Sequence, residues 1–356
     1  FRRGGWWQHA VDEAKAIRMG VGLVDATAFT KHVVKGPGAT QFLDWFTCNK
    51  LPKIGRINLT YALTSLGTTR TEYTIVRNGE DSYYLVSAGA WTEYDADFLR
   101  KAAEDKMPEF GYIEIQDVTT QWGVFAIAGP KSRDVLKAAI KDADPETALS
   151  NKRFPWLSAR KIELGMCPVN AIRVAYTGEL GWELHHPMEM QNYLFDLLEK
   201  AGEPHGMKLV GARAQNWLRQ EKSYRAFGNE LGRDATPAEA DLPRFIDQSK
   251  EFNGKAEMAA TGIRSKCVTL LIDGPSDADP WGREALYDMD CTRIGRLTSG
   301  GYSVAFEKSI GMGYVKPEAA EIGRNVQVKI QDKLWPAQIV EDSPYDPKNA
   351  TIRVDG

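Results

Sequence analysis

Cysteine is scarce in this sequence: Cys48, Cys167, Cys267 and Cys291 stand apart, with no Cys-x-x-Cys pair. That spacing excludes a disulfide framework and reads as the reduced thiols of a cytosolic or mitochondrial-matrix protein. No apolar run approaches the ~20 residues of a membrane-spanning helix. Neither charge prevails, because 45 Lys and Arg are interspersed with 48 Asp and Glu for a formal net charge of −3. Nothing therefore points to nucleic acid or a membrane as partner. Histidine is also sparse. His9, His32, His185, His186 and His205 have no metal-ligand spacing, and the adjacent His185 and His186, on a strand, point to opposite faces.

Other absences bear on chemistry. No Gly-x-Gly-x-x-Gly follows an opening strand; Gly20-Val21-Gly22 comes nearest, with Asp25 where a third glycine would stand. A flavin- or nicotinamide-binding Rossmann unit is not expected in these residues. Gly129-Pro130 lacks Walker spacing, and its proline has no N–H to offer a phosphate. There is no Ser or Cys nucleophile motif, no internal repeat and no low-complexity tract. The chain begins with Phe1 rather than Met and shows no signal-peptide pattern, so a processed chain or a piece of a longer polypeptide is expected.

What is present is a chain of 356 residues, 43% hydrophobic, able to bury a substantial core in two or three subdomains. Helices are predicted over 8–18, after the turn 36–39, over 90–105, over 188–201 and over 212–222. Each carries an apolar stripe of helical period. Strands are predicted over 22–25, 31–36 and 122–127. Residues 58–87 alternate as a β-meander with Asn78-Gly79 as its second turn. Residues 141–168, with three prolines, read as loop. From 264 onward, short strands over 268–272, 286–289, 293–299, 310–315, 326–330 and 334–340 suggest a small antiparallel barrel or sandwich.

One stretch stands out, Arg173 to His185. Ile172, Val174 and Tyr176 alternate as a strand, Thr177, Gly178 and Gly181 supply a turn, and Trp182 to His185 alternate on the return. Charged hairpin residues are usually just solvated. The alternative is a site for a flat heterocycle, with Tyr176 as an aromatic surface and Glu183 accepting from an N–H/NH2 edge such as a pterin presents.

Tyr176-Thr177-Gly178-Glu179-Leu180-Gly181-Trp182-Glu183-Leu184 resembles the signature hairpin of the glycine-cleavage T-protein (aminomethyltransferase) superfamily. It is closest to the folate-binding part of dimethylglycine and sarcosine dehydrogenases and oxidases. The resemblance extends through Gly67 to Val76, through 211–231 and through Ile294 to Gly301 and Gly311 to Val315, so it covers essentially the whole chain. It implies an α+β fold of antiparallel sheets with packed helices, in two interleaved subdomains over 1–262, and a C-terminal β-barrel over 263–356. It implies tetrahydrofolate as cofactor, contacted by Tyr176 and Glu183, with Glu72 as the catalytic acid beside the folate nitrogens. Gln215 falls where the aminomethyltransferases have a folate-contacting arginine, and Tyr345 matches a folate-contacting tyrosine near the C-terminus.

The departures are Thr68 for a glycine, Glu72 for the more frequent Asp, Gln215 for Arg, and Ser87-Ala88-Gly89 without the usual Asn. The expected function is capture, as 5,10-methylenetetrahydrofolate, of the carbon released from an N-methylated amine. The methylamine itself would be oxidised by an FAD-bearing domain or subunit outside these residues. The alternatives are a non-catalytic folate-binding or structural subunit of such a flavoprotein, or a T-protein aminomethyltransferase working on a lipoyl carrier.

Overall fold

The computed structural model describes residues 2–355; Phe1, and the expectation attached to it, lies outside the described residues. The chain opens with α1 (Gly5–Met19), which buries Ala10, Val11, Ala14 and Ile17 and stops at Gly20. Then come β1 (Gly22–Asp25), β2 (Thr30–Lys35), α2 (Ala39–Phe46), β3 (Ile57–Leu63), β4 (Thr69–Gly79) and β5 (Ser82–Ser87). After them follow α3 (Thr92–Phe110), β6 (Glu114–Asp117), β7 (Trp122–Ala128), α4 (Ser132–Ala139) and α5 (Pro145–Ala148). The middle continues with β8 (Ala159–Leu164), β9 (Cys167–Ile172), β10 (Gly181–Pro187), α6 (Gln191–Gly202), β11 (Lys208–Leu209) and α7 (Ala212–Glu221). The last third holds α8 (Lys255–Thr261), β12 (Lys266–Ile272), β13 (Ala285–Tyr287), β14 (Arg293–Ser303), β15 (Lys308–Val315), β16 (Asn325–Ile330) and β17 (Lys333–Val340).

These strands form three layers. A six-stranded sheet runs in the order β11-β1-β7-β10-β9-β8, and a five-stranded sheet in the order β3-β4-β5-β2-β6. The strands β12-β15-β14-β13-β16-β17 close into an antiparallel barrel. Apart from the short β1–β11 pair, the sheet pairings are antiparallel. The fold is thus α+β, two sheets with packed helices plus a C-terminal barrel.

Strand alternation gives each open sheet a dry outer face for its helices. Trp182, Leu184 and Ile127 of the first sheet pack with Val135, Leu136, Leu194 and Leu198 from α4 and α6. Tyr73, Ile75 and Leu85 of the second pack with Phe42, Phe46 and Leu99 from α2 and α3. The opposite faces meet one another, with Ile57, Val76, Tyr84 and Val86 against Ile172 and Val174. That inner seam positions the functional side chains.

Three local expectations are corrected. The strand expected over 172–176 ends at Ile172, and residues 173–180 form a loop before β10. The backbone leaves the strand at Val174, whose N–H turns back to the Ile172 carbonyl at 3.0 Å, while the Arg173 side chain turns inward and donates to the carbonyls of Phe154 (2.5 Å) and Ile352 (3.3 Å). The turn expected at Asn78-Gly79 lies at Glu80-Asp81, because a register shift between Arg77 and Gly79 absorbs a residue in β4. Residues 141–168 contain α5 and β8. As an edge strand paired to β9 and burying only Leu164, β8 lacks the alternation that marks a half-buried strand.

Candidate active site

Glu72 lies in β4 directly opposite Tyr61 of β3. It shares a face with Thr74 and Val76, the face turned to the first sheet, because alternate residues of a strand point the same way. Burial is the main influence on its carboxyl and pushes it up to about 7, against the opposing hydrogen bond from Tyr61. Glu72 is therefore divided between acid and carboxylate near neutral pH. Tyr61 is 1% exposed, and burial first, then the charge of Glu72, holds its phenol well above the ordinary range.

The turn that delivers β4 is closely built. Gly67 sits at φ 73°, and a Cβ there would come within 2.1 Å of the Met258 backbone nitrogen. Thr68, the departure from a second glycine, is accommodated: it is buried and its hydroxyl meets that of Thr64 at 2.7 Å. Ser87 donates to buried Asp95, which also accepts from Thr71 (3.1 and 2.8 Å).

Tyr176 stands in the 173–180 loop, its ring stacked on Tyr224 with centroids 6.1 Å apart. Burial raises its phenol, the Arg219 charge lowers it, and Glu72 raises it again, so Tyr176 and Glu72 share one electrostatic neighbourhood. The loop is held from both chain ends. Arg18, at the end of α1, donates to the Thr177 carbonyl (2.8 Å), to Glu179 (2.7 Å) and to Glu221 of α7 (2.5 Å). Tyr345 donates its hydroxyl to Glu179 at 2.7 Å, and the Arg18 guanidinium lies 4.0 Å above the Tyr345 ring. Lys222 donates to the carbonyls of Tyr345 (3.0 Å) and Asp346 (2.6 Å).

Glu183 is on the inner face of β10, its side chain 15% exposed, with one long contact to His185 Nε2 at 3.3 Å. His185 Nδ1 meets the hydroxyl of Tyr84, a β5 residue on the facing sheet, at 3.0 Å. The neighbouring His186 points the other way, stacked on Phe125 and bonded to Gln191 at 2.9 Å. Among the described residues no group of His, Cys, Asp and Glu is placed to hold a metal ion, and no helix is long and apolar enough to cross a membrane. An open depression of about 440 Å³, lined in part by Glu13, Asp25, Gln191 and Asn192, shares no residue with this site.

Residues 1–250 match the family described as the GCVT N-terminal domain, and residues 266–346 match the glycine cleavage T-protein C-terminal barrel domain. The chain belongs to the glycine cleavage T-protein family. Its T-protein relatives fall into two kinds by length. Mitochondrial dimethylglycine dehydrogenase of Rattus norvegicus is 34% identical over all of this chain, which spans only 41% of that protein. A probable aminomethyltransferase of Thermococcus kodakarensis is 30% identical over 96% of this chain and 91% of its own length. Among solved structures, the glycine cleavage system aminomethyltransferase T of Bartonella henselae superposes with a TM-score of 0.82 over 95% of this chain and 90% of its own, at 23% identity, which establishes the T-protein fold.

Within this T-protein fold the expected site residues separate into two groups. Glu72 and Glu183 lie on the inner faces of the two sheets, and Tyr176 stands in the 173–180 loop within electrostatic reach of Glu72. Tyr345 has its hydroxyl on Glu179 and its ring under Arg18, so it fastens the Tyr176 loop. Gln215 is half-buried in α7 and makes no side-chain hydrogen bond among the described residues. The α7 residue whose charge acts on Tyr176 is Arg219, one turn later. Fully buried, it donates to Glu230 (2.8 Å), to the Tyr224 carbonyl (2.9 Å) and to Ser299 of β14 (2.5 Å). Glu230 in turn accepts from Thr298 (2.7 Å) and Ser299 (2.5 Å). A signal for this lies in the sequence: Glu221 continues the stripe of Ala214, Trp217 and Leu218, so charge enters a buried helix face.

Proposed function

We propose that this chain performs tetrahydrofolate-dependent one-carbon transfer, capturing carbon released from an N-methylated amine such as dimethylglycine or sarcosine as 5,10-methylenetetrahydrofolate. The observation that carries the reading is Glu72, a carboxyl held near neutrality on the inner seam beside Tyr61 and within the electrostatic reach of Tyr176. Glu72 takes up or returns one proton at its carboxyl oxygen, the work of a general acid–base whose pKa is matched to the medium. The residues present fit the cofactor. Glu183 is acceptor-only and has acceptor capacity to spare beyond its one long partner. Tyr176 brings a ring already stacked on Tyr224. Tetrahydrofolate, when bound, supplies the nucleophilic nitrogens that receive the carbon.

The whole of the chain matches 41% of the dimethylglycine dehydrogenase length, so oxidation of the methylamine is assigned to a flavin-bearing domain or partner subunit. In the same reading, residues 1–262 handle folate and 263–356 form the supporting barrel. A second reading, a T-protein aminomethyltransferase working on a lipoyl carrier, is favoured by the match over 91% of the Thermococcus protein.

The test is calorimetric titration with tetrahydrofolate. One site is expected, and Glu183→Ala weakens it about tenfold or more, the worth of a hydrogen bond to a charged group. Binding unchanged in that variant removes Glu183 from the site. No binding by the unaltered chain leaves a structural subunit as the better reading.

A further inference from the structure

The aromatic wall beside Glu72 continues outward to an unpaired cation. Tyr61, opposite Glu72, meets Phe245 edge-on with ring centroids 6.3 Å apart. The Arg244 guanidinium lies 4.8 Å from the Phe245 ring centroid. This pair sits in the short turn Pro243–Phe245, pinned between buried Leu242 and Ile246 and closed by the Phe245 N–H on the Leu242 carbonyl at 3.1 Å. Arg244 is exposed and, among the described residues, makes no ion pair and no hydrogen bond through its side chain. The site's buried arginines differ: Arg18, Arg219 and Arg225 are each bound to a carboxylate. Although burial dominates the phenols of Tyr61 and Tyr224, the positive charge of Arg244 leads the influences that lower them. The guanidinium is thus within electrostatic reach of both phenols and stands over the Phe245 ring.

A lone rim cation is ordinarily solvated and worth little. Here it stands at the outer end of a row of touching side chains that begins beside Glu72 with Tyr61 and continues through Phe245, and the turn beneath it is fixed. Resting on the folate reading above, we propose that Arg244 binds the glutamate carboxylate of the folate tail, with Phe245 and Tyr61 flanking the p-aminobenzoyl ring between. The chemistry suits such a ligand, whose anionic end is separated from the pterin by a flat apolar ring. A planar guanidinium is the side chain that takes a carboxylate through two donors.

The discriminating probes are tetrahydrofolate and tetrahydropteroate, which share the pterin and aminobenzoyl groups but differ in the glutamate. Arg244→Gln raises the Kd for tetrahydrofolate about fivefold and leaves that for tetrahydropteroate in place, while Arg244→Lys restores part of the difference. The difference shrinks as salt screens the rim charge. Equal loss for both probes, or no loss for tetrahydrofolate, overturns the assignment while folate binding itself stands. If the unaltered chain binds neither probe, the folate reading fails and this inference falls with it.

Discussion

At the scale of single residues, Glu72 combines a proton that is available near neutral pH with a place on the inner seam. Its action on charge that develops during transfer belongs to the rate more than to affinity. With a flavoprotein partner or formaldehyde as carbon donor, Glu72→Gln is expected to slow 5,10-methylenetetrahydrofolate formation about 10²-fold. Folate affinity should move little in that variant, because the amide keeps the shape and one acceptor oxygen. The same residue makes a pH signature. Its folded carboxyl holds a proton up to about pH 7, whereas the ordinary value is 4.5. The stability it contributes is full below pH 4.5 and is lost as pH rises through 7. Unfolding free energies from urea titrations at pH 5 and pH 8 should therefore differ by roughly 2–3 kcal/mol less in Glu72→Gln than in the unaltered chain. Glu72, Tyr176 and Glu183 could be proposed from the sequence because they sit in motifs. For Arg219 the sequence offered only charge entering a buried helix face, because its partners, Glu230, 11 residues on, and Ser299 of the barrel, are brought to it by the fold.

At the scale of elements, alternation and helical stripes located most strands and helices, since those patterns record which face is dry. The 173–180 loop escaped that logic. Val174 and Tyr176 look like strand residues, yet Arg173 is drawn into the core by carbonyls of remote segments, a tie that no local pattern shows. Gly178 is the pivot of this loop, at φ 82°, where a Cβ would come within 2.3 Å of the Lys222 side chain. Gly178→Ala is expected to destabilise the fold by about 1–3 kcal/mol. It should also weaken tetrahydrofolate by displacing Tyr176, read as a lower thermal midpoint with a raised Kd. Unchanged affinity would show that Tyr176 does not touch the ligand.

At the scale of the whole molecule, α7 and the 226–231 turn are tied to the barrel through the buried Arg219–Glu230 pair and Ser299. Both ions of that pair are out of water, so their mutual satisfaction is what makes the arrangement tolerable. Removing one partner with Glu230→Ala is expected to cost about 3–5 kcal/mol, measured by denaturant unfolding. A smaller loss would mean that water reaches Arg219. The regular spacing of short strands made a barrel foreseeable, and the structure adds that β12 and β17 close it. The tie between α7 and the barrel was not foreseeable, because it is written in single buried contacts.

The clasp on the Tyr176 loop also sets an order of assembly. Arg18 and Tyr345 both end on Glu179, which lies near the middle of the chain. During synthesis the two sheets can find their partners while residues 341–355 are still being made, since domains commonly fold as they emerge. The loop cannot be fastened then. Its tie to Tyr345 belongs to the segment translated after the barrel, so the Tyr176 loop acquires its final fastening only once the barrel strands have been made.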